Sequence, residues 1–247
     1  MHDILLGGLQ GLTEFLPVSS SAHLALAQRL LGLDDDVVAR TVLFHAGTLL
    51  SCVTFFFRDI IAALRTRRLL GYIVAATCIT SALGLLLRKL LDPLFASPLW
   101  IGLFLLINGA LLLTTRRTAR QDRPIGLKDS CLMGLAQAIA VLPGISRSGI
   151  TITTLLLRGC DREEAFRFSF IASLPVVAAA FALEGLTDDV FGRVLREPAA
   201  YAGIITAYLA GLGALYALRG LLVTRRFHLF GFYCLLLGAL SILTVLF

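Results

Sequence analysis

Two apolar regions of this chain, residues 4–31 and 131–157, are each interrupted near the middle by a leucine–proline pair and a cluster of small hydroxyl residues. A helix that crosses the hydrocarbon core of a bilayer needs about 20 mostly apolar residues. Each leg here has only about 8 to 13, enough to reach the middle of a bilayer and turn back. Re-entrant helical hairpins are the economical reading. Around them lie six uninterrupted apolar stretches, 37–57, 70–91, 98–115, 165–183, 199–222 and 229–247, each long enough to cross. With 247 residues, 57% hydrophobic and 15% charged, the chain has no room for a separate water-soluble domain, so secreted, cytosolic and disordered classes are excluded. The predicted fold is an all-α integral membrane protein, one membrane domain over 1–247, with six transmembrane helices and two re-entrant helical hairpins.

The net charge of +6 lies in short basic runs between apolar segments rather than along one face, which argues for membrane orientation and against nucleic acid as a partner. The first span is followed by Arg58, Arg65, Arg67 and Arg68, the third by Arg116, Arg117, Arg120, Arg123 and Lys128, and the fifth by Arg219, Arg225 and Arg226. These connections are expected to be cytoplasmic. The alternate ones carry Arg88 and Lys89, or Arg193 and Arg196 offset by Glu184, Asp188, Asp189 and Glu197, and are expected to face outward. The second hairpin then enters and leaves on the cytoplasmic side, and the first is expected to do so from outside. Cys52, Cys78, Cys131, Cys160 and Cys234 have no metal-like spacing, so neither a disulfide framework nor structural zinc is expected. Met1-His2-Asp3 has no basic leader, and no cleavable signal is evident.

Gly8-Leu9 and Leu16-Pro17 recur as Gly134-Leu135 and Leu142-Pro143, and Phe44 and Ala46 recur as Phe170 and Ala172, all at an offset of 126 residues. Three crossings per half invert the second copy, so 1–125 and 126–247 are expected to form an inverted-topology repeat whose broken elements meet near the midplane.

The first break contains Glu14, Leu16-Pro17, Ser19, Ser20, Ser21 and His23; the second contains Pro143, Gly144, Ser146, Arg147, Ser148, Gly149 and Thr151. Glu14 and Arg147 are ionisable residues far from any segment end, where charge in lipid without a partner is costly. A helix that resumes at a serine offers free backbone N–H groups and a dipole to an anion. Arg147 adds a forked donor suited to phosphate oxygens, and Gly144 or Gly149 allows close approach of backbone. The expected catalytic residues are Glu14, Ser19, Ser20, His23 and Arg147; the expected substrate-binding residues are Ser21, Gly144, Ser146, Arg147, Ser148 and Thr151. His23 follows Ser19 by one helical turn and suits acid–base or nucleophilic work. His45 reads as a satisfied core histidine, with a hydrogen bond into the same cavity as the alternative. His2 and His228 lie near segment ends, and Asp34 to Asp36 read as a solvated loop.

The strings Gly11-Leu12-Thr13-Glu14-Phe15-Leu16-Pro17-Val18-Ser19-Ser20 and Pro143-Gly144-Ile145-Ser146-Arg147-Ser148-Gly149-Ile150-Thr151-Ile152 resemble the two signature motifs of the undecaprenyl-diphosphate phosphatase family associated with bacitracin resistance. The resemblance extends to Phe44-His45-Ala46-Gly47-Thr48-Leu49-Leu50, to Phe57-Arg58, and to Phe168-Ser169-Phe170 with Pro175. It implies a multi-pass enzyme of the bacterial cytoplasmic membrane that removes the terminal phosphate of undecaprenyl diphosphate, recycling the carrier for peptidoglycan synthesis. It also implies a divalent cation such as Mg2+, for which Glu14 is the expected ligand, and a site open toward the outer face. The expected partners are the polyprenyl diphosphate and the bilayer, with a homodimer left open.

The chain departs from that family where two glutamates at a spacing of four are replaced by Gln10 and Glu14, and the resemblance implies that Gln10 is a further substrate-binding residue. A neutral amide can neither share a proton nor hold a metal as a carboxylate does. A polyprenyl-phosphate carrier or flippase, or a non-hydrolytic lipid-binding relative, is therefore the competing reading. The nucleophile is open between a serine of the Ser19–Ser21 cluster and an activated water, with His23 or Glu14 handling the proton.

Overall fold

The computed structural model describes residues 2–32, 35–87, 94, 97–118, 123–187 and 197–246. Arg88, Lys89, Arg120, Asp188, Asp189, Arg193, Arg196, Asp34 and the last residue of the 229–247 stretch lie outside the described residues. The rest is a helical protein: α1 (His2–Phe15), α2 (Ser20–Leu31), α3 (Asp35–Phe55), α4 (Phe57–Arg65), α5 (Arg67–Leu87), α6 (Pro98–Thr114), α7 (Leu127–Ile139), α8 (Arg147–Leu157), α9 (Arg162–Thr187), α10 (Pro198–Val223) and α11 (Leu229–Leu246). Four helical segments are long and apolar enough to cross a membrane, namely Arg67–Leu87, Pro98–Arg117, Arg162–Leu183 and Pro198–Val223. A fifth candidate is the pair of α3 and α4, which meet at 70° where the apolar run gives way to Arg58 and Asp59. The segment Leu229–Val245 is apolar but shorter. The chain is a multi-pass membrane protein.

The two interrupted regions are helix pairs. Helices α1, α2, α7 and α8 have 14, 12, 13 and 11 residues. At 1.5 Å per residue each is about 16–21 Å long, well short of a crossing. Pro17 and Pro143 stop the first helix of each pair by removing an N–H donor and disfavouring helical geometry in the residue before them. The turns are completed by left-handed backbone at Ser19 (φ 68°) and Gly144 (φ 110°). Glycine is required at 144, because a Cβ there would also lie 2.7 Å from the carbonyl oxygen of Ile101. Left-handed backbone at Ser19 costs about 1–2 kcal/mol. The serine hydroxyl offsets this by accepting from the N–H groups of Gly144 (3.2 Å) and Ala22 (3.4 Å).

Helix α1 packs along α10, and α7 packs along α5; α6 pairs with α11, and α3 also lies on α10. Small residues set these approaches, as expected where helix association rests on close van der Waals contact. A Cβ on Gly7 would fall 2.2 Å from the Gly203 carbonyl oxygen, and one on Gly134 would fall 2.9 Å from that of Ala76. The α6–α11 pair is antiparallel, Gly102 meeting Gly238 and Gly109 meeting Gly231. Buried Phe15, Phe56, Phe166 and Phe170, with ring centroids 5.2–5.6 Å apart, lock the end of α1 to the α3–α4 bend and to α9.

A charge clasp closes the mouth of the second hairpin. Asp129, in the first turn of α7, accepts from Arg123 (2.8 Å), from Arg158 just after α8 (3.0 Å) and from the Gly126 N–H (2.9 Å). Burial raises the Asp129 pKa, but the donors from Arg123, Gly126 and Arg158 outweigh it and hold the carboxyl at about 2. A carboxyl held below its unfolded value stabilises the fold above that value, here by about 2 kcal/mol. This contribution is lost as pH falls from about 4 to about 2 and below. Asp129→Asn is therefore expected to lower thermal stability at pH 7 by about 2 kcal/mol, and melting curves of wild type and variant should converge only at about pH 2 and below.

Candidate active site

The two hairpin tips touch. Besides the bond from Gly144 to Ser19, the Ser146 hydroxyl lies 3.5 Å from the Leu16 carbonyl, and the Arg147 guanidinium (Nη2) donates to Glu14 Oε1 at 2.5 Å. Glu14 ends α1 and Arg147 opens α8, so each ion depends on the other hairpin for its partner. The pair is largely sheltered, with side-chain exposures of 9% and 19%. A charge so placed is tolerable only because it is paired and hydrogen-bonded.

The other Glu14 oxygen, Oε2, accepts from Ser20 Oγ at 2.7 Å and from Gln10 Nε2 at 3.0 Å. A carboxylate only accepts, so Gln10 must present its NH2 group here. That leaves Gln10 Oε1 buried without a hydrogen-bond partner among the described residues. His45 of α3 completes the ring around this oxygen, with Nε2 at 3.8 Å. Of the two readings of His45, the structure supports the one at the cavity, with the side chain 31% exposed. His45 lies against the carboxylate because α3 passes beside α1, a neighbour relation invisible in the sequence. Thr48, Cys52 and Ser173 line the same small cavity with Glu14 and Arg147.

The serines divide by role. Ser19 and Ser146 each precede a helix and accept from the N–H three residues on, Ala22 and Gly149 respectively, as N-caps do. Ser21 lies 3.2 Å from Ser19 Oγ, and Ser148 lies 3.1 Å from Ser146 Oγ. Ser148 is buried, and Thr151 is turned away from the pair to bond the Arg147 carbonyl (2.7 Å) and Ser169 (2.6 Å). Gly149 abuts the Asn108 side chain of α6, much as Gly144 abuts Ile101. Among the expected residues, Gln10, Glu14, Ser20 and Arg147 form one cluster. Ser19, Ser21, Gly144, Ser146 and Ser148 form the contact between hairpin tips beside it. His23 adjoins the second group, its Nδ1 2.8 Å from the Ser19 carbonyl oxygen and its Nε2 2.7 Å from the Tyr233 hydroxyl of α11.

Two residues that sequence reading passed over hold the tips together. Asn108, fully buried on α6, donates to the Pro17 carbonyl (3.1 Å) and accepts from the Ser146 N–H (3.1 Å), so one side chain spans both breaks. Its amide orientation follows from its partners, one acceptor and one donor. Cys234 of α11 reinforces it, 3.5 Å from the same Pro17 oxygen. The signal for Asn108 was available, since a lone amide in an otherwise apolar span is costly unless it has partners.

The geometry offers an anion a guanidinium and the first turns of α2 and α8, whose N–H groups have no partner within their helices. It also sets a hydroxyl on a carboxylate. It does not fit a cation built in by the protein. Both Glu14 oxygens are engaged by donors, Gln10 turns a donor rather than an acceptor to them, and among the described residues no group of three His, Cys, Asp or Glu side chains comes together.

A family profile described as bacitracin resistance protein BacA matches residues 3–240 of the chain. A protein of Korarchaeum cryptofilum named undecaprenyl-diphosphatase is 38% identical over 261 residues, covering 98% of each chain. One of the same name from Syntrophotalea carbinolica is 40% identical over 255 residues, covering 97% of each. Another from Thermotoga maritima is 38% identical over 245 residues, covering 98% of this chain and 99% of its own.

Proposed function

The chain belongs to the bacitracin resistance protein BacA family, and from that premise we propose that it hydrolyses undecaprenyl diphosphate to undecaprenyl phosphate and inorganic phosphate. The observation that carries the reading is the Ser20–Glu14–Arg147 arrangement at the point where the hairpins meet. Arg147 and the N-termini of α2 and α8 receive the diphosphate and spread its charge. Ser20 Oγ, held on Glu14, attacks the terminal phosphorus; its proton passes to the carboxylate as the new P–O bond forms and the bond to the bridging oxygen breaks. Undecaprenyl phosphate leaves, and water cleaves the phosphoserine to release phosphate and restore Ser20. His23, bonded to the Ser19 carbonyl oxygen, moves protons in the second step. No step is routed through a metal, because the donor set does not fit one; a divalent cation would enter only as a companion of the diphosphate.

Phosphate release from a polyprenyl diphosphate by the purified protein, with and without a chelator, tests the reading. No release by wild type would favour the non-hydrolytic carrier. Loss with the chelator alone would return a cation to the reaction. Ser20→Ala is expected to lower release by about 10²-fold or more; full activity would move the attack to water.

The same reading includes six crossings in an inverted repeat, in the cytoplasmic membrane. What supports it is the mirrored pairing of α1 on α10 and α7 on α5 about the α6–α11 pair. Cysteine-accessibility labelling is expected to find Arg67, Arg117 and Arg226 on the cytoplasmic side and Glu197 on the other. All four on one face would refute it. Both hairpins come from one chain, so hydrolysis requires no second copy.

A further inference from the structure

His23 is held at both ring nitrogens, and the two partners differ in kind. At Nδ1 the partner is the Ser19 carbonyl oxygen (2.8 Å), which only accepts, so Nδ1 carries the proton. In the neutral ring Nε2 is then the bare nitrogen, and the atom facing it at 2.7 Å is the Tyr233 hydroxyl, which can donate. The two rings also lie nearly parallel, 6° apart in plane with centroids at 5.7 Å. Ser19 is held by its own left-handed backbone and by the bond from Gly144, so the Nδ1 anchor is rigid. Tyr233 comes from α11, at the far end of the chain, and is exposed apart from its contact with the histidine.

We propose that Tyr233 is a positioning residue for the reaction, acting through His23: its hydroxyl and ring fix the imidazole in the Nδ1–H form, with Nε2 as the exchangeable basic position. This rests on the hydrolytic reading, in which His23 moves protons. One hydrogen bond at Nδ1 holds the broad χ2 torsion only in part; the second contact narrows it further and sets where the basic nitrogen points. Among the described residues no hydrogen bond joins Tyr233 to the Glu14–Arg147 pair. Its effect on turnover therefore passes through His23.

The test is Tyr233→Phe, which keeps the stacked ring and removes the hydroxyl. Protein carrying 15N-labelled histidine, with the His23 signals identified from a His23→Gln sample, is expected to show a protonated Nδ1 and a bare, hydrogen-bonded Nε2 in wild type. In Tyr233→Phe the Nε2 signal should move toward that of a free acceptor, with the Nδ1 signal retained. Turnover should fall about tenfold in kcat, with KM changed less than about twofold. A bare Nδ1 in wild type overturns the proposal, and so does an unchanged kcat in the variant. If wild type releases no phosphate, hydrolysis fails as a reading, and the nitrogen spectra alone decide whether Tyr233 holds His23.

Discussion

Arg147→Ala is expected to lower phosphate release by about 10³-fold or more, the scale of losing an arginine that neutralises charge on a transferring phosphoryl group. The same change should destabilise the protein by about 3 kcal/mol, because it strands Glu14 in a largely sheltered position. The two effects can be separated. Pairing Arg147→Ala with Glu14→Gln removes both charges, so most of the stability should return while activity stays absent. Release measured on the single and double variants, beside thermal melts of each, provides the check. Near-normal release by Arg147→Ala would sink the site. A double variant as unstable as the single one would show that the ion pair is not what the hairpins rely on.

Glu14→Gln alone is expected to remove about 10²–10⁴ of the rate, since the carboxylate that receives the Ser20 proton is gone. Gln10→Glu is the more informative partner experiment. Gln10 is fully buried with its amide 3.0 Å from the Glu14 carboxylate, so a second carboxylate there cannot coexist in ionised form beside the first. The variant must take up a proton or a divalent cation. In the presence of Mg2+ at about a hundred times its Kd, the Gln10→Glu protein should gain about 2.7 kcal/mol of stability. Wild type, whose amide presents a donor, should gain little. Melting curves across a Mg2+ series read this independently of turnover. Equal responses from the two proteins would mean that Gln10 is not what keeps the natural site from holding a cation.

Much of this arrangement could be read from local features. The Leu16-Pro17 and Leu142-Pro143 breaks are visible because proline stops a helix wherever it falls, and the serines after them are visible as caps because capping involves only residues three apart. Glu14 and Arg147 stood out because lone charges in apolar segments need partners, and the structure pairs them with each other. Four of the expected spans were legible for the same reason, and a fifth as the α3–α4 pair, although the bend in that pair was not.

Other features depend on which helices become neighbours, and hydropathy leaves that open in a chain where nearly every face is apolar. His45 reads as a core residue or as a partner of the cavity, and only α3 lying beside α1, where it approaches Glu14, decides between them. Asn108 has an evident need for partners but no indication that they are Pro17 and Ser146, 91 and 38 residues away. Tyr233 is an ordinary aromatic of a terminal helix until its hydroxyl meets His23, 210 residues earlier. The sequence by itself therefore determined the membrane environment, the two breaks and the charged pair, because each follows from the cost of placing a backbone or side-chain group in hydrocarbon. Only the tertiary structure decided what surrounds that pair, because close packing of small residues between helices, Gly7 on Gly203 and Gly109 on Gly231, chooses the neighbours.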